Sequence, residues 1–358
     1  MQLILFMSLS CFLCPPSSAS SGTQGASFLN IPVGARPAAM GSAYTALATD
    51  AYAPIWNPAG LGFVNSPQLA AQHLSYLESV NYEQASYAQP LGHGRSLGAS
   101  LQYLGTGDIP GTDPSGAPAG NFSSHFVASS LAYGQKLTDR VAFGLTGKWI
   151  NAKISDVSAS AYAFDLGTLY HPRDPLTLAA TLTNVGNKLQ FLNQGDSLPM
   201  TVHVGAAYRV WKPWLVSVEG VMPVHEPASG RAGIEWSPME MVSLRAGYRS
   251  DSLKDLSPLA GFSTGVGLRV WGQEFSYAWV PYGDLGDTQY FSLLLKFGGA
   301  AEERRNLIQY HSIKQHRTAR SGSSDENEYE PDYEQLMQLF DEKNENVVIS
   351  PKTKGQQP

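Results

Sequence analysis

The chain has 358 residues, of which only 15% are charged, and it carries 35 glycines, 17 tyrosines, 14 phenylalanines and 7 tryptophans. A net charge of -6 supplies no phosphate-neutralising surface, which excludes nucleic acid as a partner, and past the first residues no apolar run reaches the roughly 20 residues of a helical span, which excludes a polytopic helical membrane protein. What remains is a β protein rich in glycine and aromatic residues.

Residues 1–19 read as an export signal. The run from Leu3 to Leu13 is apolar but shorter than a membrane span, and Ser17-Ser18-Ala19 fits the small-x-small pattern of a signal-peptidase site. Both cysteines, Cys11 and Cys14, fall within it. A chain cut near Ala19 keeps no cysteine, so disulfide, thiolate–metal and cysteine-nucleophile chemistry drop out.

Residues 26–66 are rich in small side chains. Ala38, Ala39, Gly41, Ala43, Ala46 and Ala48 make a helix-compatible stretch after Pro37, followed by a loop from Ala53 to Gly60 in which Pro54 and Pro58 each bar a continuing helix.

From 67 to 298 the period is two. Val202, Val204, Ala206, Tyr208 and Val210 share one face while His203, Gly205, Ala207 and Arg209 share the other, and the same alternation runs through 231–236, 244–249 and 264–270. A soluble sandwich and a membrane barrel share that pattern with inside and outside exchanged, so alternation alone does not separate them. Fourteen segments are predicted as strands: 67–77, 81–89, 95–104, 124–135, 140–152, 159–170, 176–185, 200–210, 214–222, 230–236, 240–250, 259–270, 274–281 and 288–297. The number is even, most lengths approach the nine to eleven or so residues of a tilted membrane strand, and every second connection is tight while the others are mostly longer. That is the pattern of an outer-membrane barrel with short periplasmic turns. Trp211, Trp214, Trp236, Trp271 and Tyr208 gather toward the tight turns, and Tyr103, Tyr282 and Tyr290 toward the long loops, as interfacial girdles would. The expected fold is therefore all-β, a 14-stranded antiparallel transmembrane barrel over residues 67–298 with a short helical or looped plug before it.

On such a barrel Arg209, Glu219, Arg231, Glu235, Arg245, Arg249, Arg269 and Glu274 fall on the lumen face, either bracing the interior or lining a polar path. After Ala301 charged residues become dense and the aromatic spacing stops, so residues 302–358 read as a flexible periplasmic tail, whose 325–345 stretch could dock a periplasmic partner.

Catalytic constellations fail one by one. Gly261-Phe262-Ser263-Thr264-Gly265 spells a nucleophile elbow but sits within a strand pattern, and the only later histidines are His311 and His316 in the tail. The eight histidines make no H-E-x-x-H, and Gly147-Lys148 lacks the remaining residues of a phosphate loop. The expectation is a protein that is not an enzyme, with no cofactor and no metal.

One segment is specific. Phe28-Leu29-x-Ile31-x-x-Gly34-Ala35-Arg36-x-x-Ala39-Met40-Gly41-x-Ala43-Tyr44-x-Ala46-x-Ala48-x-Asp50, followed by Trp56-Asn57-Pro58-Ala59-Gly60-Leu61, resembles the opening segment of the PorV/PorQ family, within the FadL-like outer-membrane barrels. The resemblance implies that residues 26–66 lie inside the barrel as a plug, with Gly41, Ala43, Asn57, Pro58 and Ala59 as plug residues. It also implies a place in the bacterial outer membrane, in contact with its lipid. Two functions stay open: binding the C-terminal domains of secreted proteins and handing them on in a type IX-like secretion pathway, or FadL-like transport of hydrophobic small molecules such as long-chain fatty acids.

Overall fold

The computed structural model describes residues 24–76, 80–192, 194–251, 259–282 and 286–298. The expected signal at 1–19 and tail at 302–358 lie outside the described residues.

In chain order the strands are β1 (Gln68–Ser75), β2 (Asn81–Gly92), β3 (Arg95–Gly105), β4 (Ile109–Thr112), β5 (Pro118–Phe122), β6 (Ser124–Lys136), β7 (Val141–Ile154), β8 (Val157–Arg173), β9 (Leu176–Gly186), β10 (Leu189–Phe191), β11 (Gln194–Asp196), β12 (Thr201–Trp211), β13 (Trp214–Pro223), β14 (Ser229–Met239), β15 (Val242–Arg249), β16 (Phe262–Val270), β17 (Gln273–Pro281) and β18 (Asp287–Lys296). Fourteen of them close into one antiparallel barrel, sealed by β1 against β18 with Gln68 opposite Lys296 and Ser75 opposite Gln289. The strands β4–β5 and β10–β11 form separate small hairpins in two of the long connections. At three to five residues each, these strands are too short for an alternation to announce them, although Leu189 of β10 is buried in the core.

Side-chain burial settles which face is which. Leu131 is 74% exposed and Tyr162 62%, whereas Arg245 and Glu219 are each 4% exposed. A water-soluble sandwich would need the reverse, since burying ions while exposing leucines costs free energy on both counts. With hydrocarbon outside the arrangement is favourable. The tryptophan side of the expected girdle faces outward, with Trp211, Trp236 and Trp271 exposed and Trp214 stacked on Trp236 at 5.6 Å. The tyrosine side differs: Tyr290 shares the parity of Thr288 and Ser292, points inward and is fully buried, and Tyr282 packs against Tyr76.

The connections at the end where β1 begins and β18 stops are tight, as at Trp211–Trp214 and Val270–Gln273. At the other end one link departs from the expected longer type. β7 and β8 run on for 14 and 17 residues and meet through Ser155-Asp156, Ser155 taking a left-handed φ of 53°.

Candidate functional site

The barrel interior is occupied by the chain's own segment 24–66. It contains a 3₁₀ turn (Ser27–Asn30), helix α1 (Ala35–Ala39), helix α2 (Ala53–Trp56) and a second 3₁₀ turn (Pro58–Phe63). The helix-compatible stretch is helical only to Ala39, because Gly41 and Ser42 both adopt left-handed backbone, φ 62° and 61°. Pro54 does not break a helix but stands in the first turn of α2, and Pro58 opens the second 3₁₀ turn, positions where a missing N–H costs nothing.

Inward-facing glycines of the wall seat this segment. Met40 and Gly41 lie on Gly233 of β14 and Gly247 of β15, Ala39 lies on Gly265 of β16, and Asn57-Pro58 lies on Gly144 of β7 and Gly167 of β8. Pro54 and Leu61 meet Gly98 of β3. At each contact a Cβ on the wall would occupy the space of the inner segment, so these strands could carry no larger residue there. Gly41 is required twice over: its φ is positive, and an added Cβ would sit 2.6 Å from the Ala232 carbonyl oxygen and 2.7 Å from that of Tyr248. Ala43 is 2% exposed and Ala59 fully buried.

Asn57 is extended, φ -160°, and fully buried. Its Oδ1 accepts from the Ala59 N–H at 3.1 Å, while Nδ2 donates to the Thr45 carbonyl at 3.0 Å and the Thr168 carbonyl of β8 at 3.1 Å. One amide therefore ties two parts of the inner segment to the wall. Ser263, the serine of the elbow-like string, donates to the Ala39 carbonyl at 3.1 Å and accepts from the Gly41 N–H at 3.2 Å. Its hydroxyl serves the seat, as Gln72 does by accepting from the Gly34 N–H.

The lumen charges join into chains. Arg36 of the inner segment meets Glu235 through two bonds, Nε–Oε2 at 2.8 Å and Nη2–Oε1 at 3.0 Å. Glu235 also accepts from Arg245 at 2.7 Å, Arg245 reaches Glu274 at 2.6 Å, and Glu274 accepts from Arg269 at 2.9 Å. Glu219 accepts from the Thr45 N–H and lies 2.9 Å from His203. Arg231 and Arg249 share Asp251. Arg209 stands apart at the mouth on the tight-turn end, exposed and in no ion pair among the described residues. Sequence reasoning passed over Arg36 as a bridging cation and missed the buried Lys148–Asp165 pair, 2.7 Å apart. Lys148 shares inward parity with Thr146 and Ile150, and Asp165 with Gly167 and Leu169, so the signal was the same alternation that exposed the others.

Within the inner segment burial pushes the Asp50 carboxyl up from its usual range, against the opposing pull of the Tyr44 hydroxyl, which donates to it at 2.5 Å, and the Tyr52 N–H at 2.9 Å.

Three spaces adjoin this arrangement. A cavity of 200 Å³ toward the long loops is lined by Leu29, Trp56, Lys148, His203, Arg231 and Arg249. A space at the mouth on the tight-turn end, 730 Å³, is lined by Arg36, His171, Arg209, Lys212, Glu235 and Arg269. On the outer wall an apolar depression of 820 Å³ lies among Tyr170, Leu178, Val204, Ala206, Val218 and Tyr248. Among the described residues no three His, Cys, Asp or Glu side chains converge as metal ligands.

Known proteins fit this geometry. A family model for the type IX secretion system protein PorV matches residues 17–211. No curated protein matches the chain. Among solved structures, the Pseudomonas putida toluene transporter TodX is similar at 14% identity with a TM-score of 0.55, over 74% of this chain and 98% of that one. The monoaromatic hydrocarbon channel CymD is similar at 12% identity with a TM-score of 0.53, over 75% and 98%. At these identities the two structures establish the barrel fold. The filled 14-stranded barrel with its lipid-facing exterior, together with a match across more than half its length, makes this chain a member of the PorV family, a transport-type β-barrel of the bacterial outer membrane.

Proposed function

We propose that this barrel binds the C-terminal domains of exported proteins at the outer membrane and hands them on in a type IX-like secretion pathway, with residues 26–66 as its standing plug. The observation that carries this reading is the way the lumen is filled. The inner segment is fixed to the wall at two places four strands apart, by Arg36 to Glu235 on β14 and by Asn57 to the Thr168 carbonyl on β8, with glycine seats under both ends. A barrel whose axis is occupied by its own tethered chain suits a client held at its mouths better than one drawn through its centre. In this reading Gly41, Ala43, Asn57, Pro58 and Ala59 keep the plug thin and tied, and the lumen charges Glu219, Glu235, Arg245, Arg269 and Glu274 brace it.

The test is purification of the full chain from its native outer membrane after crosslinking, followed by identification of the linked proteins. Clients sharing one C-terminal β domain, lost on competition with that domain alone, are expected; a barrel recovered without any such protein overturns the reading. Removal of residues 302–358 is expected to leave the barrel assembled while releasing a periplasmic partner; an unchanged set of linked proteins removes the tail's part.

A second reading, FadL-like movement of hydrophobic small molecules, is favoured by the apolar depression among Leu178, Val204 and Val218. It predicts a lipid or hydrocarbon extracted with the purified protein, and its absence would count against this reading alone.

A further inference from the structure

Lys148, Asp165 and Asn184 form a buried triad across three neighbouring strands, β7, β8 and β9. Lys148 Nζ lies 2.7 Å from Asp165 Oδ2 and 2.8 Å from Asn184 Oδ1. The three residues are 7%, 0% and 5% exposed. Asn184 is held in place by its surroundings: its backbone N–H donates to Asp165 Oδ1 at 2.7 Å, its Nδ2 donates to the Pro199 carbonyl at 3.1 Å, and its own φ is 59°. The ladder is interrupted at this point. Phe164 pairs with Val185 and Leu166 with Leu182, so β9 carries one extra residue opposite Asp165.

We propose that Lys148 and Asn184 become joined by a side-chain amide bond, with Asp165 as the proton acceptor. An amine, an amide and a carboxylate held within hydrogen-bond reach and nearly buried are the groups that this transamidation needs. Asp165 takes one proton from the lysine ammonium, which replaces two buried charges by a neutral pair and leaves a lone pair on Nζ. The Asn184 Cγ lies about 1.2 Å from the oxygen that Nζ already touches, so rotation about the last lysine torsions brings the nucleophile onto the carbonyl carbon. Attack forms the Nζ–Cγ bond. A second lysine proton, relayed through Asp165, goes to Nδ2, the Cγ–Nδ2 bond breaks and ammonia leaves, while Asp165 keeps the first proton until solvent removes it. Nothing is oxidised or reduced. The 200 Å³ cavity that Lys148 and Asn184 both line gives the ammonia a way out. Fixed positioning of this kind is worth effective concentrations on the order of 10⁵ M or more, and the bond need form only once in the life of the molecule.

The product ties β7 to β9 across β8 where backbone pairing is irregular, a covalent rivet in the wall. The test is peptide mass analysis of the full chain purified from outer membranes. A trypsin digest is expected to contain one species joining the Lys148 and Asn184 peptides, uncut at Lys148 and lighter than their sum by one ammonia beyond the ordinary peptide masses. Lys148→Arg keeps the cation and Asp165→Asn keeps the shape, and both variants are expected to lose the linked species while still assembling. Recovery from the parent protein of free Asn184 peptide in full yield, with cleavage after Lys148, overturns the proposal; a link that forms as readily in D165N overturns the role of Asp165.

Discussion

Arg36 and Glu235 face each other through two parallel bonds, one partner on the inner segment and the other on β14 of the wall. Glu235 is also the partner of Arg245, so Glu235→Gln leaves two guanidinium groups short of one negative charge. Loss of one member of a buried ionic group costs roughly 3 kcal/mol, and here the loss falls on the attachment of the plug. The E235Q barrel is expected to assemble and to show higher ion conductance in planar bilayers than the parent; equal conductance would mean that the pair does not hold the lumen closed.

The glycine seats separate into strict and tolerant ones. A Cβ at Gly247 would overlap the Gly41 backbone, whereas a Cβ at Gly205 would lie 3.4 Å from the nearest atom, Ala46 N. Gly247→Ala is expected to expose residues 35–45 to protease in an otherwise folded barrel, and Gly205→Ala to behave as the parent. The same cleavage pattern in both variants would show that the seats do not position the segment.

Asn57 supplies one acceptor and two donors. Asn57→Asp keeps the bond from Ala59 N–H but turns a carboxylate oxygen toward the Thr45 and Thr168 carbonyls, and each unpaired buried polar group costs about 1–3 kcal/mol. Hydrogen exchange at residues 43–48 and 57–61 is expected to quicken in N57D by about tenfold or more, with exchange in β1 and β18 unchanged. Uniform protection would remove Asn57 as a tie.

Asp50 gives the plug a pH dependence of definite sign. Burial raises its carboxyl above the unfolded value, so its contribution to stability is fully present below about pH 4, the unfolded carboxylate range, and is lost as pH rises through the folded value. Asp50→Asn removes the titration and can still bond to Tyr44 and Tyr52. The melting temperature of D50N relative to the parent is expected to climb between acid and neutral pH; a constant difference would place the Asp50 carboxyl at its ordinary value.

The exterior is tested at mid-wall. Leu131 is 74% exposed on β6, and arginine there faces hydrocarbon at a cost of about 2–4 kcal/mol. L131R is expected to lower barrel yield in membranes, read by the heat-dependent mobility of the folded form, while an outward arginine at Trp271, beside a tight turn, is tolerated.

The strands were legible because lipid outside and a crowded lumen inside impose a period of two, and that demand acts on every residue of the fourteen barrel strands. Where it lapses, legibility lapses too. Ile109–Phe122 stands beyond the membrane, so its hairpin left only a glycine- and proline-rich stretch to read. Tyr290 was placed by residue type, as an interfacial aromatic, when its parity with Thr288 and Ser292 puts it inside. Arg36, Lys148 and Asp165 were visible as charges, but which strand faces which depends on barrel closure and register, and neither is written in a local stretch of sequence. The glycines of β14, β15 and β16 could be seen to share the inward face; that they make room for another backbone could be seen only with residues 39–41 in place.

The uneven strand lengths have a consequence for approach to the long-loop end of the barrel. β8 has 17 residues and β15 has 8, while crossing the bilayer takes about ten. The surplus of β7 and β8 stays paired up to Ile154 opposite Val157, a hydrogen-bonded parapet on one flank of the long-loop end. A bulky visitor at that end therefore meets a stiff, paired edge on the β7–β8 flank.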